Sequence, residues 1–249
     1  MNNVLRLLYA PYKYLVFIPL AALSTMVFGS LAVCLMYVSR PRFVSSICGV
    51  YWARFNSLIA PMLLQVIGRE NIDPKQSYVI CANHQSQFDI FVIYGWIGVD
   101  FKWVMKKELR KVPFLGAACE RLEHIYIDRS NREAALRSLK EAKKRIVNGT
   151  SVMFFPEGTR SAVDEMLPFK KGAFVMALDL GLPILPVSIV GTRKILPTRS
   201  LKLFPGRAKM LIHPPISTAG YSEASLPELM ETVRRTIQAG LDGDSGPTV

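Results

Sequence analysis

Ser77-Tyr78-Val79-Ile80-Cys81-Ala82-Asn83-His84-Gln85-Ser86-Gln87-Phe88-Asp89-Ile90 is the stretch on which the fold turns. Residues 77–82 form a run of strand-like residues, and the apolar run from Ile90 to Ile97 continues as a helix. A histidine therefore sits where a strand ends, and an aspartate sits in the first turn of the helix after it. Two helical side chains five positions apart lie about 140° apart around the axis, so His84 and Asp89 meet only if His84 precedes the helix. Ser86-Gln87-Phe88-Asp89 reads as an N-cap with an acid at the third helical position, which places the helix start there. A carboxylate holding one imidazole nitrogen fixes the tautomer and leaves the other free to take a proton. Taken from spacing alone, the plainer reading weighs more: a capping aspartate and a histidine satisfied in a turn.

Outward from this stretch, strands and helices alternate. Strands are expected at Ser77–Ala82, Phe101–Lys106, His124–Asp128, Ser151–Phe155, Ile184–Val190 and Ala208–Ile212. Helices are expected at Asp89–Ile97, Lys107–Glu120, Arg132–Val147, Lys171–Leu180 and Leu226–Ala239. Such alternation predicts an α/β class domain, a layered, mixed and partly parallel sheet flanked by helices. Sites in such sheets tend to lie beyond the carboxyl ends of the strands, where both His84 and Phe155-Pro156-Glu157-Gly158 fall.

The N-terminal part differs. Tyr14 to Ser39 carries no charge, and as a helix it exceeds a hydrocarbon core of about 30 Å. Pro19 kinks or shortens it, so a helix lying in one leaflet is the alternative to a span. The run is too long for a signal-peptide core and has no clear small-x-small cleavage site. Phe43 to Ile67 is mostly apolar but carries Arg54 and Asn56, which predicts an amphipathic or interfacial helix. The expected organisation is membrane-embedded or interfacial helices over 1–67, an α/β domain over 68–241 and a flexible tail over 242–249.

A net charge of +12 in a chain that is 50% apolar points to an anionic membrane surface or an anionic substrate. Nucleic acid is disfavoured as a partner, since no nucleic-acid module is recognisable. Cys34, Cys48, Cys81 and Cys119 form no C-x-x-C pair and read as small hydrophobes in a reducing compartment. With three histidines at no ligand spacing, no metal site is expected.

Phe155-Pro156-Glu157-Gly158-Thr159-Arg160-Ser161 is the second constellation. Pro156 stops the strand ladder, Gly158 permits a tight turn or close ligand approach, and Glu157 and Arg160 are expected to stand exposed. Alone it reads as a surface turn with a weak ion pair. Between Lys102 and Arg145 lie thirteen Lys or Arg residues against six Asp or Glu. Those at strand ends, Lys106, Lys107 and Arg129, suit phosphate recognition. General attraction to lipid headgroups is the alternative for most of them.

Asn83-His84-x4-Asp89, Tyr126-Ile127-Asp128-Arg129, the Phe155–Ser161 block and Leu182-Pro183-Ile184-Leu185-Pro186-Val187 occur in this order. Together they resemble the four blocks of the glycerolipid acyltransferases, most closely the bacterial-type 1-acyl-sn-glycerol-3-phosphate acyltransferases. The likeness covers roughly residues 68–215 and extends to Lys106-Lys107-Glu108-Leu109, Pro113-Phe114-Leu115-Gly116 and Phe169-Lys170-Lys171-Gly172.

The resemblance implies the fold of the glycerol-3-phosphate acyltransferases and a membrane-bound enzyme. It would move an acyl chain from a thioester to the sn-2 hydroxyl of lysophosphatidic acid, giving phosphatidic acid. His84 would be the general base and Asp89 its orienting carboxylate. Transfer would be direct, without an acyl-enzyme, in keeping with the lack of a G-x-S-x-G elbow. Arg160 would be the main phosphate ligand, helped by Lys106 and Arg129. Glu157 would bind or orient the glycerol, Gly158 would admit the substrate to the backbone, and Thr159 joins the same substrate-binding set. Pro186 would shape the acyl-donor side, whereas His124 and His213 read as structural. No cofactor is implied; acyl-CoA or acyl-carrier protein is the co-substrate. The expected location is the inner, cytoplasmic membrane, with the main domain on the cytoplasmic face. Two alternatives stand beside this: an acyltransferase acting on another lysophospholipid, and a non-catalytic lipid-binding protein on the same fold.

Overall fold

The computed structural model describes residues 9–243 apart from 61, 147, 164 and 201. Its centre is a seven-stranded sheet in the order β1-β7-β6-β2-β5-β3-β4. The strands are β1 Met62–Ile67, β2 Val79–Ala82, β3 Phe101–Lys106, β4 Ile125–Ile127, β5 Ser151–Phe154, β6 Ile184–Val190 and β7 Gly206–Ile212. All pairings are parallel except β6 with β7. The mixed, mostly parallel sheet flanked by helices is the architecture expected from the sequence.

Two faces of this sheet are buried, which explains why its central strands are continuous apolar runs rather than alternating ones. On one face Ile80, Ala82, Trp103, Met153 and Leu185 pack under α2 (residues 41–59) and α3 (Phe88–Trp96). On the other face Val79, Cys81, Val152, Phe154 and Ile184 pack under α5 (Arg132–Ala142), α6 (Gly172–Leu180) and α8 (Leu226–Asp242). The α8 helix turns Leu226, Leu229, Val233 and Ile237 inward, a helical stripe of apolar residues. The remaining helices are α1 (Tyr9–Leu35), α4 (Leu115–Arg121) and the short α7 (Thr192–Ile195).

Among the described residues α1 is the one helix long and apolar enough to cross a membrane. Leu15, Leu23, Val27 and Leu31 are exposed on it, while its buried positions are the small Ser24, Gly29 and Ala32. The second segment bonds to it through polar groups. Trp52 Nε1 donates to Thr25 Oγ1 at 3.1 Å, and Asn56 Nδ2 donates to Ser24 Oγ at 3.0 Å. Arg54 Nε donates to the Gly95 carbonyl at 2.8 Å, tying α2 to α3. The polar residues that break the apolar pattern of 43–67 are thus contact residues.

The sequence expectation needs correcting in three places. Met62–Ile67 is not the end of an interfacial helix but edge strand β1, in register from Met62 opposite Gly206 to Ile67 opposite Leu211. Helix α2 ends just before Pro61 in the sequence, and the residues beyond it are rich in apolar side chains that sit well on a pleated, half-buried surface. The helix expected over Lys107–Glu120 is broken into a 3₁₀ turn at Lys107–Lys111 and α4. Pro113 forces Val112 into extended backbone, with φ −74° and ψ 122°, and the chain restarts only after Phe114. Arg132–Val147 is likewise shorter, ending as α5 at Ala142 with a 3₁₀ turn at Lys143–Arg145. Of the cysteines, Cys48, Cys81 and Cys119 are buried and Cys34 is exposed on α1. Val147 and most of the 242–249 tail lie outside the described residues.

His124 supports the α3 side of the sheet. Its Nδ1 accepts the Trp103 amide at 3.3 Å, and its Nε2 faces the Tyr94 hydroxyl at 3.3 Å. Burial, with the Lys102 ammonium nearby, holds its pKa down at about 3. The ordinary value, kept in the unfolded chain, is about 6.5. On acidification the unfolded chain takes up this proton first, so stability falls below about pH 6.5, by at most about 1.4 kcal/mol per pH unit, and the loss levels off below about pH 3. Replacing the ring by a neutral amide removes this contribution. His124→Gln should therefore flatten the acid limb of unfolding free energy between about pH 6 and 4 in detergent. Parallel limbs for wild type and variant would show that His124 is not the group responsible.

Candidate active site

The carboxyl ends of the neighbouring strands β2, β5, β3 and β4 bring the sequence-predicted residues to one edge. His84 follows β2, Glu157 to Arg160 follow β5, Lys106 ends β3 and Arg129 follows β4. His84 Nδ1 lies 2.8 Å from Asp89 Oδ2. The Asp89 side chain is fully buried and that of His84 keeps 14% exposure. Asp89 Oδ2 also accepts the amides of Gln85 at 2.7 Å and Ser86 at 2.8 Å, and its Oδ1 accepts the Thr192 hydroxyl at 2.5 Å. Held by four contacts over its two oxygens, the carboxylate cannot swing, so the imidazole is held by one nitrogen. Nε2 makes no hydrogen bond among the described residues.

The helix start differs slightly from the expected cap. α3 begins at Phe88, and Ser86 Oγ accepts the Phe88 amide at 3.2 Å while Asp89 returns a bond to the Ser86 amide. The reciprocal pattern of a capping box is kept. Asp89 therefore serves both as cap and as partner of His84, so the two readings that compete in the sequence are one geometry.

Glu157 is not exposed, as the turn reading expected, but 3% accessible. Its Oε1 accepts the His84 amide at 2.7 Å and its Oε2 accepts the Leu167 amide at 2.8 Å. Burial pushes its pKa up, and these two amides act against that rise. The reason for burial is the crossing of two loops: the Ser161 amide donates to the His84 carbonyl at 2.8 Å, so the turn after β5 lies over the loop after β2. The His84 ring stacks on Phe155 at 3.8 Å between centroids and 10° between planes.

Gly158 adopts φ +73°, and a Cβ there would press on Lys170 Cε at 2.8 Å. Its carbonyl accepts from Arg129 Nη1. Thr159 is exposed and Arg160 half-buried, and the Arg160 side chain makes no hydrogen bond or ion pair among the described residues. Lys106 is exposed at the same edge, whereas Lys107 is paired with Asp128 at 2.5 Å. The edge thus offers an unengaged Arg160 and Lys106 beside an imidazole with a free nitrogen.

Thr192 and Thr198 belong to the site, and the sequence reading missed them. Thr192 is fully buried at the start of α7, after Gly191 at φ +86°. Thr198 Oγ1 contacts the Gln85 carbonyl at 2.7 Å and the Ser161 carbonyl at 3.1 Å. Only the antiparallel turn between β6 and β7 carries them back to His84, and no local spacing encodes that.

The model of the Acyltransferase family matches residues 63–190. The chain is 33% identical over 226 residues to the 1-acyl-sn-glycerol-3-phosphate acyltransferase of Pseudomonas aeruginosa, covering 87% of this chain and 85% of that one. It is 32% identical over 181 residues to a protein of the same name in Chlamydomonas reinhardtii, covering 71% of this chain but spanning only 52%, about half, of the algal relative. The crystal structure of the 1-acyl-sn-glycerophosphate acyltransferase PlsC from Thermotoga maritima is similar over 100% of both chains, with a TM-score of 0.82 and 27% identity.

Glu157→Gln puts an amide NH₂ where one backbone N–H needs an acceptor. A buried donor left without its acceptor costs about 1–3 kcal/mol. Glu157→Gln should lower stability by about that much in urea unfolding. An unchanged midpoint would show that the carboxylate does not hold the two loops.

Proposed function

The chain belongs to the acyltransferase family, and we propose that it acylates the sn-2 hydroxyl of 1-acyl-sn-glycerol 3-phosphate from a thioester donor, giving phosphatidic acid. The observation that carries this reading is the His84–Asp89 pair, 2.8 Å apart, with Nε2 unengaged beside the free Arg160. The likeness to relatives bearing the name 1-acyl-sn-glycerol-3-phosphate acyltransferase supports the choice of acceptor.

In this mechanism the sn-2 hydroxyl attacks the thioester carbonyl as its proton passes to His84 Nε2. A C–O bond forms, the tetrahedral intermediate collapses, and the C–S bond breaks. The thiolate then takes the proton from Nε2, which returns the imidazole to its starting form. Asp89 fixes the tautomer that presents Nε2 as acceptor and stabilises the imidazolium between the two transfers. General-base help of this kind is typically worth about 10²–10⁴-fold, and holding the two substrates in register contributes more. Arg160, with Lys106, binds the acceptor's phosphate; a guanidinium suits two phosphate oxygens at once. Arg129 braces the turn through the Gly158 carbonyl, and Glu157 acts by positioning the backbone of His84. The acyl donor is acyl-CoA or acyl-carrier protein.

Membrane attachment belongs to the same reading. The exposed side chains of α1, with Phe43, Tyr51 and Leu58 of the second segment, form an apolar surface that suits the inner membrane, with the basic α/β domain on the cytoplasmic side.

Labelled acyl-CoA and acyl-carrier protein offered with lysophosphatidic acid in micelles test the reaction. Wild type should form phosphatidic acid, and folded His84→Ala should lose at least about 10²-fold in turnover. Full activity of that variant would leave a lipid-binding role or another base. Arg160→Ala should raise KM for lysophosphatidic acid while sparing a monoacylglycerol acceptor, and equal effects on both acceptors would remove Arg160 from phosphate binding. Leu15→Gln/Val27→Gln/Leu31→Gln should reduce flotation with anionic phospholipid vesicles. Undiminished flotation would place the docking surface elsewhere.

A further inference from the structure

We propose that the groove between α5 and α6 holds the phosphopantetheine arm of the acyl donor; this rests on the acyl-transfer reading above. The groove has a volume of about 890 Å³. That lies at the upper end of the range of roughly 300–1,000 Å³ for sites that enclose a small organic ligand. Val104, Ile127 and Phe154 floor it from the strands, and Leu139 and Val175 face it from the two helices.

Its rim is cationic. Asp128 and Asp179 both line it, yet each is already paired, with Lys107 at 2.5 Å and with Lys143 at 2.5 Å. Lys140 and Lys171, also on the rim, make no hydrogen bond or ion pair among the described residues. The groove therefore presents uncompensated positive charge over an apolar floor, the complement of an elongated ligand with an anionic end.

Position identifies the ligand further. Phe155, Pro156 and Gly158, the segment that follows β5, line one end of it, and the same segment carries the Phe155 ring that stacks on His84. One end of the groove thus lies at the carboxyl edge that carries His84. Lys140 lies eight residues into α5 (Arg132–Ala142), about 12 Å along its axis from the first helical residue. Because α5 follows the carboxyl end of β4, an anion bound there lies well back from the edge that carries His84. Lysophosphatidic acid does not meet this requirement, because its phosphate is a short glycerol step from the hydroxyl attacked. A phosphopantetheine thioester does, since its phosphate and its sulfur are at opposite ends of a long flexible chain. A smaller cavity, about 50 Å³ between α1, α2 and α4, is lined by Gly29, Ala32, Trp52 and Leu122 among others, with no lysine or arginine to hold a phosphate.

Lys140→Glu/Lys171→Glu tests the assignment, since both residues are exposed and neither is assigned above to catalysis or to the acceptor. KM is measured for acyl-CoA, acyl-carrier protein and lysophosphatidic acid, and the binding of free CoA is followed by calorimetry without acceptor. The proposal expects KM for the donor to rise at least about tenfold, CoA binding to weaken in step, and KM for lysophosphatidic acid to change by less than about twofold. A rise with both donors assigns the lysines to the phosphate that the two share. A rise with acyl-CoA alone assigns them to the nucleotide phosphates beyond the arm. The neutral pair Lys140→Gln/Lys171→Gln should give a smaller rise of the same kind. Unchanged donor KM in a variant beside an active wild type overturns the groove assignment and leaves the acyl-transfer reading standing. An effect confined to acyl-carrier protein, or equal on donor and acceptor, overturns it as well. A wild type that transfers no acyl chain from either donor overturns the underlying reading and the groove with it.

Discussion

The main chain of His84 is held from both sides, and the rest of the site depends on that clamp. Its amide is taken by a buried glutamate, and its carbonyl by the amide of Ser161. Neither bond involves the imidazole, yet together they decide where the imidazole stands. The ring is then fixed by Asp89 at one nitrogen and by Phe155 across one face. A free side chain in a loop would sample several rotamers, and each lost rotamer costs entropy at the moment of reaction. Here that entropy has been removed in folding. Glu157 carries the cost of this arrangement, because burial disfavours its charge, and only the two amides it accepts make a buried carboxylate tolerable.

The sheet distributes the work between its faces. On the α2 and α3 face, apolar packing continues outward into helix α1, whose surface is apolar on the side away from the protein. On the α5 and α6 face lie the lysine-rimmed groove and the amphipathic α8. Parallel strands bring both faces to a common carboxyl edge, so groups from the two sides meet there without passing through the core.

Much of this was legible in the sequence, for identifiable reasons. The strands β2, β3, β5 and β6 are buried on both sides, so their apolar runs stand out and their limits follow closely. The His84–Asp89 pair is local, and its spacing leaves only one geometry in which the two side chains can meet. What was not legible depends on partners distant in sequence. The strand character of Met62–Ile67 comes from pairing with β7. The burial of Glu157 comes from the crossing of two loops joined only through the sheet. Thr192 reaches Asp89 across the fold, and nothing in its neighbourhood distinguishes it from an ordinary helix-starting threonine. The break in Lys107–Glu120 was different: Pro113 stood in the sequence, and its effect on Val112 outweighed the helical pattern around it.

The pairing of β1 with β7 also orders events in time. A ribosome delivers Met62–Ile67 early, directly after the apolar helices, whereas Gly206–Leu211 emerges only after most of the chain. Until then the first strand has neither edge paired. Pairings so distant in sequence close slowly, because a long loop must be ordered first. The nascent protein must therefore keep its first strand out of trouble until the residues between the two strands are made, and the apolar surface of the preceding helices is a natural place to keep it.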